Sequence, residues 1–424
     1  MTSSVHATEE LLFSVLLQLI VMIAAARAMH LVARRLGQPG AVGEIVAGLM
    51  LGPSLLGRIA PEFSLSLFGA KPAESITVLS QVGLTLLMFQ IGASFEFGHL
   101  KDRKYRRAAG AVALASLLVP LGLGLAIGLA SAGRLAPDMD RITYALFVAV
   151  ALAITALPIL GRILVQFGLE RHPVGVVAIS AAAANDLVGW VLLALVSAYA
   201  AALLSLNAAL FQLGGLVALV LVSRYALAPF AAAMVKRWPV ERGELSPTLI
   251  ALVLVMIFAL AIATFKLGVF AIFGGFLAGT LFHRHSEFVD AWRRQIGVFV
   301  LVFFLPIFFT FTGLRTDVFA LSGDLDWLAI VLAAAILGKV VPVYLAARLT
   351  GFSGAEAATL GSLMNTRALM ELIVLNIGYE LGFLPPSMFA MLVVMAVVTT
   401  LMTGPLLRLL LPRMGHHAQS VAEA

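Results

Sequence analysis

Asp186 lies deep in an apolar run, Ser180-Ala181-Ala182-Ala183-Ala184-Asn185-Asp186-Leu187-Val188-Gly189-Trp190, with no basic residue near it in sequence. One carboxylate in such surroundings can hold a proton at one moment and ligate a cation at another, which is the chemistry of exchange. Asn185 beside it offers a carbonyl oxygen to a hard cation without adding charge, and the flanking alanines let other helices come close. The plainer alternative for Asp186 is a structural hydrogen bond or salt bridge. Lys339, in Leu337-Gly338-Lys339-Val340-Val341-Pro342, is too far from either end of its run to snorkel. Either it neutralises a carboxylate such as Asp186, or it steadies the carbonyl ends of a broken helix; a purely structural role also stays open. Arg367 and Glu371 stand four residues apart, on one helical face, and read first as a self-neutralising pair. Glu44 suggests packing or gating, Gln90 and Glu96 interface anchoring, and His283 with His285 either a proton sensor or solvated loop histidines.

These residues need apolar elements to hold them. Of 424 residues, 61% are hydrophobic and 12% charged, with a mean hydropathy of +1.04, values foreign to a water-soluble domain. Hydrophobic runs predict about thirteen transmembrane helices: 11–33, 41–57, 76–95, 108–130, 143–166, 173–203, 207–234, 246–264, 267–283, 296–314, 327–348, 355–378 and 386–411. A β-barrel would show short alternating segments instead. Cysteine is absent, which excludes disulfides and thiolate chemistry. The net charge of +6 is scattered over short connectors and forms no nucleic-acid patch, and the N-terminus shows no removable signal peptide. No paired histidines, Ser/His/Asp set or carboxylate cluster suited to metals lies at midplane depth, so an enzyme is not expected, nor any cofactor.

Lysine and arginine alternate across the connectors. Those after odd-numbered spans and the C-terminus, counted with Arg162 and Arg348 near the ends of their spans, hold seventeen, among them Arg34, Arg35, Lys101, Lys104, Lys236 and Arg293; those after even-numbered spans hold six, Arg58, Lys71, Arg134, Arg141, Lys266 and Arg315. This puts the N-terminus outside and the C-terminus in the cytoplasm, in the bacterial inner membrane. With span seven as a linker, spans one to six and eight to thirteen start on opposite faces, the topology of an inverted repeat. Both halves carry a helix break at the matching place: Ala153-Ile154-Thr155-Ala156-Leu157-Pro158, where Pro158 removes a donor, and Gly361-Ser362-Leu363-Met364-Asn365-Thr366-Arg367, around Asn365. The ionisable groups gather on three spans rather than along a continuous polar pore, which favours a carrier over a cation channel or gated potassium efflux protein without obligatory proton exchange.

The strings GQPGAVGEIVAGLMLGPSLLG (37–57), ITALPILGRIL (154–164), AISAAAANDLVGW (178–190), LPIFFTFTGLRTD (305–317) and NTRALMELIVLNIG (365–378) resemble, in order, motifs of the monovalent cation:proton antiporter-2 family of sodium or potassium/proton exchangers. The resemblance runs over nearly the whole chain. It implies an all-α membrane fold of the sodium/proton antiporter type, with inverted repeats and two broken crossing helices. It further implies a scaffold (about 11–95 and 246–314) through which such antiporters form homodimers, an ion-binding core (about 108–203 and 327–411) that moves like an elevator, and a linker helix (about 207–234). Asp186 matches the family's ion-binding aspartate, where the monovalent cation would sit, Asn185 its variable neighbour, Thr155 a ligand on the first broken helix, and Lys339 the basic residue of LGK. Asn before Asp implies electroneutral one-for-one exchange, whereas a lysine at 339 accompanies many electrogenic members. The short tail after Pro412 leads to the expectation that no C-terminal regulatory domain, and so no nucleotide gating, resides in this chain.

Overall fold

A computed structural model describes residues 2–69, 74–94, 103–169, 171–204, 206–268 and 270–414. Glu96, Lys71, Lys101 and the tail from residue 415 lie outside the described residues. The elements in chain order are α1 (Thr2–Arg35), α2 (Gly40–Leu51), α3 (Leu56–Ile59), α4 (Pro61–Phe68), α5 (Glu74–Ala93), α6 (Arg103–Leu135), α7 (Arg141–Ala153), α8 (Leu157–Gln166), α9 (Pro173–Leu204) and α10 (Leu206–Val222). They continue as α11 (Ala228–Arg237), α12 (Pro247–Lys266), α13 (Ala271–Thr280), α14 (Ser286–Trp292), α15 (Leu305–Leu314), α16 (Leu325–Leu349), α17 (Gly354–Met364), α18 (Leu369–Glu380) and α19 (Pro386–Leu410). π-helical turns interrupt two spans, at Ser223–Leu227 between α10 and α11, and at Arg293–Gly297 and Val300–Phe304 ahead of α15.

Among the described residues ten helical stretches are long and apolar enough to cross a bilayer. The three remaining predicted spans, 143–166, 267–283 and 355–378, are filled by helices too short to cross alone: α7 with α8, α13, and α17 with α18. The chain is therefore an integral membrane protein with helices in about thirteen stretches. The two breaks lie where the sequence predicts them, at Ile154–Ala156 and Asn365–Ala368.

The helices group into two compact units. One comprises Met1–Ala25, Ile59–Phe97 and Ser197–Phe311. Within it α5 and α13 pack backbone to backbone: a Cβ on Gly92, Gly275 or Gly279 would run into the carbonyl oxygens of Phe276, Thr85 or Phe89. Phe89, Phe282, Phe288 and Trp292 close one end as an aromatic cluster. The other unit comprises Ala26–Arg58, Gly98–Val196 and Thr312–Ala424 and holds both breaks. Gly124 and Gly128 of α6 allow α7 to approach at Ala149 and Ala145. Every residue from Phe147 to Ala156 and from Thr359 to Gly378 is buried, so the broken segments form the centre of this unit.

Local chemistry fixes where these helices begin. Asp140 caps α7, its carboxylate accepting from the Thr143 amide and hydroxyl, both at 2.7 Å. Ser353 and Glu356 form a capping box on α17. Pro158 is the second residue of α8, where a missing N–H costs the helix nothing. The hydrogen bonds from Thr143 hold the Asp140 carboxyl below the usual carboxylate range. Its contribution to stability is thus fully present above the unfolded pKa and disappears as pH falls through the lower folded value. Asp140→Ala should cost about 1 kcal/mol of stability at neutral pH, read as a lower unfolding temperature in detergent, with the difference from wild type shrinking as pH falls; no difference at neutral pH would contradict the cap.

Candidate functional site

An α-helix leaves its last four carbonyls without partners inside the helix. In α7, which stops in the interior at Ala153, those carbonyls point into protein rather than water, and two buried cations take them. Arg367 donates from its two terminal nitrogens to Ala151 O (3.2 Å) and Leu152 O (2.8 Å). Lys339 donates from Nζ to Ala153 O (2.8 Å), Ile154 O (2.9 Å) and the Thr155 hydroxyl. Both side chains are 0% exposed. An ammonium has three N–H donors and all three are engaged, so Lys339 makes no hydrogen bond to Asp186. Lys339 therefore stands at the carbonyl end of the broken helix rather than against Asp186.

The carboxylates meet the opposite helix ends. Glu371 sits in the first turn of α18, 3.6 Å from Arg367, at 0% exposure. Asp186, on α9 and 2% exposed, has no hydrogen-bond partner on either oxygen, while the Leu157 amide at the start of α8 and the Lys339 ammonium lie close enough to act on it. An N-terminal helix end carries partial positive charge and favours both carboxylates. Asp186, Lys339, Arg367 and Glu371 therefore form one electrostatic cluster, with Lys339 under the influence of the other three.

The two breaks touch through the backbone: Ala156 N–H donates to Thr366 O at 3.2 Å. Ile154 and Ala156 are extended, and Ala368, ahead of α18, has φ 87° and ψ −109°, a left-handed conformation that only the surrounding packing can hold in a non-glycine residue. Asn365 caps the end of α17 with its backbone, and its buried side-chain amide has no partner on either atom.

Sequence reasoning brings Asp186, Lys339, Thr155, Arg367 and Glu371 into this one place. Asn185 points elsewhere, since neighbours on a helix diverge by about 100°; its Nδ2 donates to Ser116 Oγ on α6 at 2.7 Å. Ser116 was not among the predicted residues, nor were the α19 hydroxyls: Thr400 Oγ1 accepts from Arg367 N–H at 3.3 Å, and Thr403 Oγ1 lies 3.3 Å from Thr366 Oγ1. The run Thr399-Thr400-x-x-Thr403 within an apolar helix was their available signal. Glu44 is 2% exposed and stands apart, bound by His30 Nδ1 at 2.9 Å and Arg27 at 3.6 Å. Gln90 packs its amide on Gly297, and burial beside His283 holds His285 below the usual histidine range. Among the described residues no three His, Asp or Glu side chains converge to hold a metal ion.

Residues 19–412 fit the sequence profile of the transmembrane sodium/hydrogen exchangers. The chain belongs to the sodium/hydrogen exchanger family. This exchanger is 35% identical over 409 residues to the Na(+)/H(+) antiporter NhaS4 of Synechocystis sp., covering 96% of this chain and 99% of that one. It is 33% identical over 393 residues to Cation/H(+) antiporter 17 of Arabidopsis thaliana and 29% identical over 411 residues to K(+)/H(+) antiporter 1 of Saccharomyces cerevisiae. Those matches cover 92% and 94% of the exchanger but 47% and 46% of the relatives, so it spans about half the length of these two. The solved structure of the sodium proton antiporter MjNhaP1 from Methanocaldococcus jannaschii superposes with a TM-score of 0.58 at 17% identity, covering 94% of the exchanger and 96% of that chain, which establishes a shared fold.

The exchanger's cap makes a stability ordering. Arg367→Ala uncaps two buried carbonyls and strands the Glu371 charge, at a cost of about 3–5 kcal/mol. Arg367→Ala combined with Glu371→Gln removes the stranded charge and should unfold at a higher temperature than Arg367→Ala alone. Thermal unfolding in detergent checks this, and a double variant no more stable than the single one would contradict the pairing.

Proposed function

We propose that the protein exchanges one monovalent cation, sodium or potassium, for one proton by alternating access, with both ions competing for Asp186. The observation that carries this is a carboxylate 2% exposed, facing the Leu157 amide at a helix N-terminus and, unlike Glu371 with Arg367 at 3.6 Å, in no ion pair. Thr155, which holds Lys339, is a further ligand in this reading, whereas Asn185 is directed to Ser116 and would have to turn to join it. The charge balance supports one-for-one exchange. Two carboxylates and two cations sum to zero; a monovalent cation at Asp186 brings the cluster to +1, and so does a proton there. Lys339 is engaged by two backbone carbonyls and the Thr155 hydroxyl rather than by Asp186, and in this reading it stays a fixed charge while Asp186 loads and unloads.

In this reading Arg367, Glu371 and Lys339 compensate charge in a moving core (about 108–203 and 327–411), the scaffold (about 11–95 and 246–314) forms a homodimer, and 207–234 links them. The helices do group into two compact units, but Ala26–Arg58 falls with the core residues and 207–234 with the scaffold residues. The uneven Lys/Arg distribution supports an N-terminus outside and a cytoplasmic C-terminus, and the membrane in this reading is the bacterial inner membrane.

Sodium- and potassium-dependent proton movement in proteoliposomes tests the reading, with wild type and Asp186→Asn compared with and without a potassium-valinomycin clamp. Exchange that vanishes in Asp186→Asn and ignores the clamped potential is expected. Retained exchange in the variant would overturn the Asp186 assignment, and cation flux without proton coupling would mark a channel.

A further inference from the structure

We infer that Asn365 is a neutral oxygen ligand of the transported cation and the residue that sets cation affinity and choice; this rests on the reading of Asp186 as the exchange site. Two helices end at the crossing with their C-termini, α7 and α17. The α7 carbonyls are taken by two protein cations. The α17 carbonyls are not: Gly361 O accepts from Asn365 N–H (3.2 Å), Leu363 O from Thr366 N–H (3.1 Å), and Ser362 O from the Thr403 hydroxyl (3.5 Å). The partial negative charge of that helix end is thus met by no fixed cation, which suits it to a mobile one.

Asn365 stands on this end. It is 1% exposed, and neither Oδ1 nor Nδ2 has a hydrogen-bond partner. A buried amide with both atoms unengaged is rare in native proteins and marks a group with work to do in another state. The neighbouring uncharged side chains are committed: Thr155 to Lys339, Asn185 through its nitrogen to Ser116, Thr366 to Thr403, and Thr400 to Ala396 O and Arg367 N–H. Asn365 also adjoins the link between the breaks, since Thr366 O receives Ala156 N–H, the residue before Leu157, whose amide acts on Asp186. A cation leaving water needs several oxygens, and one carboxylate supplies two. A neutral carbonyl adds coordination without changing the +1 charge of the loaded cluster, which is the condition for competing with a single proton.

Asn365 has αR backbone angles (φ −79°, ψ −3°) that alanine adopts freely, so truncation leaves the break intact. Exchange is measured in the same proteoliposomes with sodium chloride and with potassium chloride for wild type, Asp186→Asn, Asn365→Ala and Asn365→Ser. For Asn365→Ala the cation KM should rise about tenfold, the sodium-to-potassium preference should change, and the maximal rate should fall less than KM rises. Asn365→Ser, which keeps one oxygen, should lie between, and decides the matter alone if the alanine variant fails to insert. Unchanged KM and preference in the variant that folds would overturn the inference while leaving Asp186 untouched. Exchange surviving in Asp186→Asn would instead overturn the reading on which it rests.

Discussion

Four consecutive carbonyls at the end of one short helix, Ala151 to Ile154, set the terms for the rest of the site. A helix end at midplane has no water to satisfy it, so the protein must bring donors to it. It brings two charged side chains from two other helices, Arg367 forking over the first two carbonyls and Lys339 bridging the last two. Two buried cations in turn require two buried carboxylates, since an uncompensated charge in an apolar interior is far costlier than a paired one. The break in α7 therefore explains all four ionised residues of the crossing.

The carboxylates differ in how tightly they are held. Glu371 lies 3.6 Å from Arg367, four residues before it in the chain, so the two share one segment. Asp186 comes from α9, a different helix, and its would-be partner Lys339 is saturated by backbone. One carboxylate thus has an ion-pair partner on its own segment and the other has none. An exchange site needs that asymmetry, because a carboxylate paired with lysine would have to give up the pair before it could receive a cation.

Hydroxyls hold the arrangement without adding charge. Thr400 and Thr403 of α19 secure the second break at Arg367 and Thr366, Ser116 of α6 turns Asn185 away from Asp186, and packing around Ala368 holds its left-handed backbone in place. Such neutral donors and acceptors keep the cluster at zero net charge when empty of transported ions.

The sequence by itself determined the membrane class, the approximate helix count and both break positions, because hydrophobic run length, Pro158 and the polar interruption at Asn365 are local signals. It also picked out Asp186, Lys339, Arg367 and Glu371, since charge inside an apolar run is visible without coordinates. What only the tertiary structure decided is who meets whom. Whether Lys339 serves Asp186 or the α7 carbonyls depends on how α16 lies against α7 and α9, and no periodicity encodes that. Ser116 and the α19 threonines were silent for the same reason: a hydroxyl in a membrane helix ordinarily bonds its own preceding turn, and becomes part of a site only when a neighbouring helix delivers a partner to it.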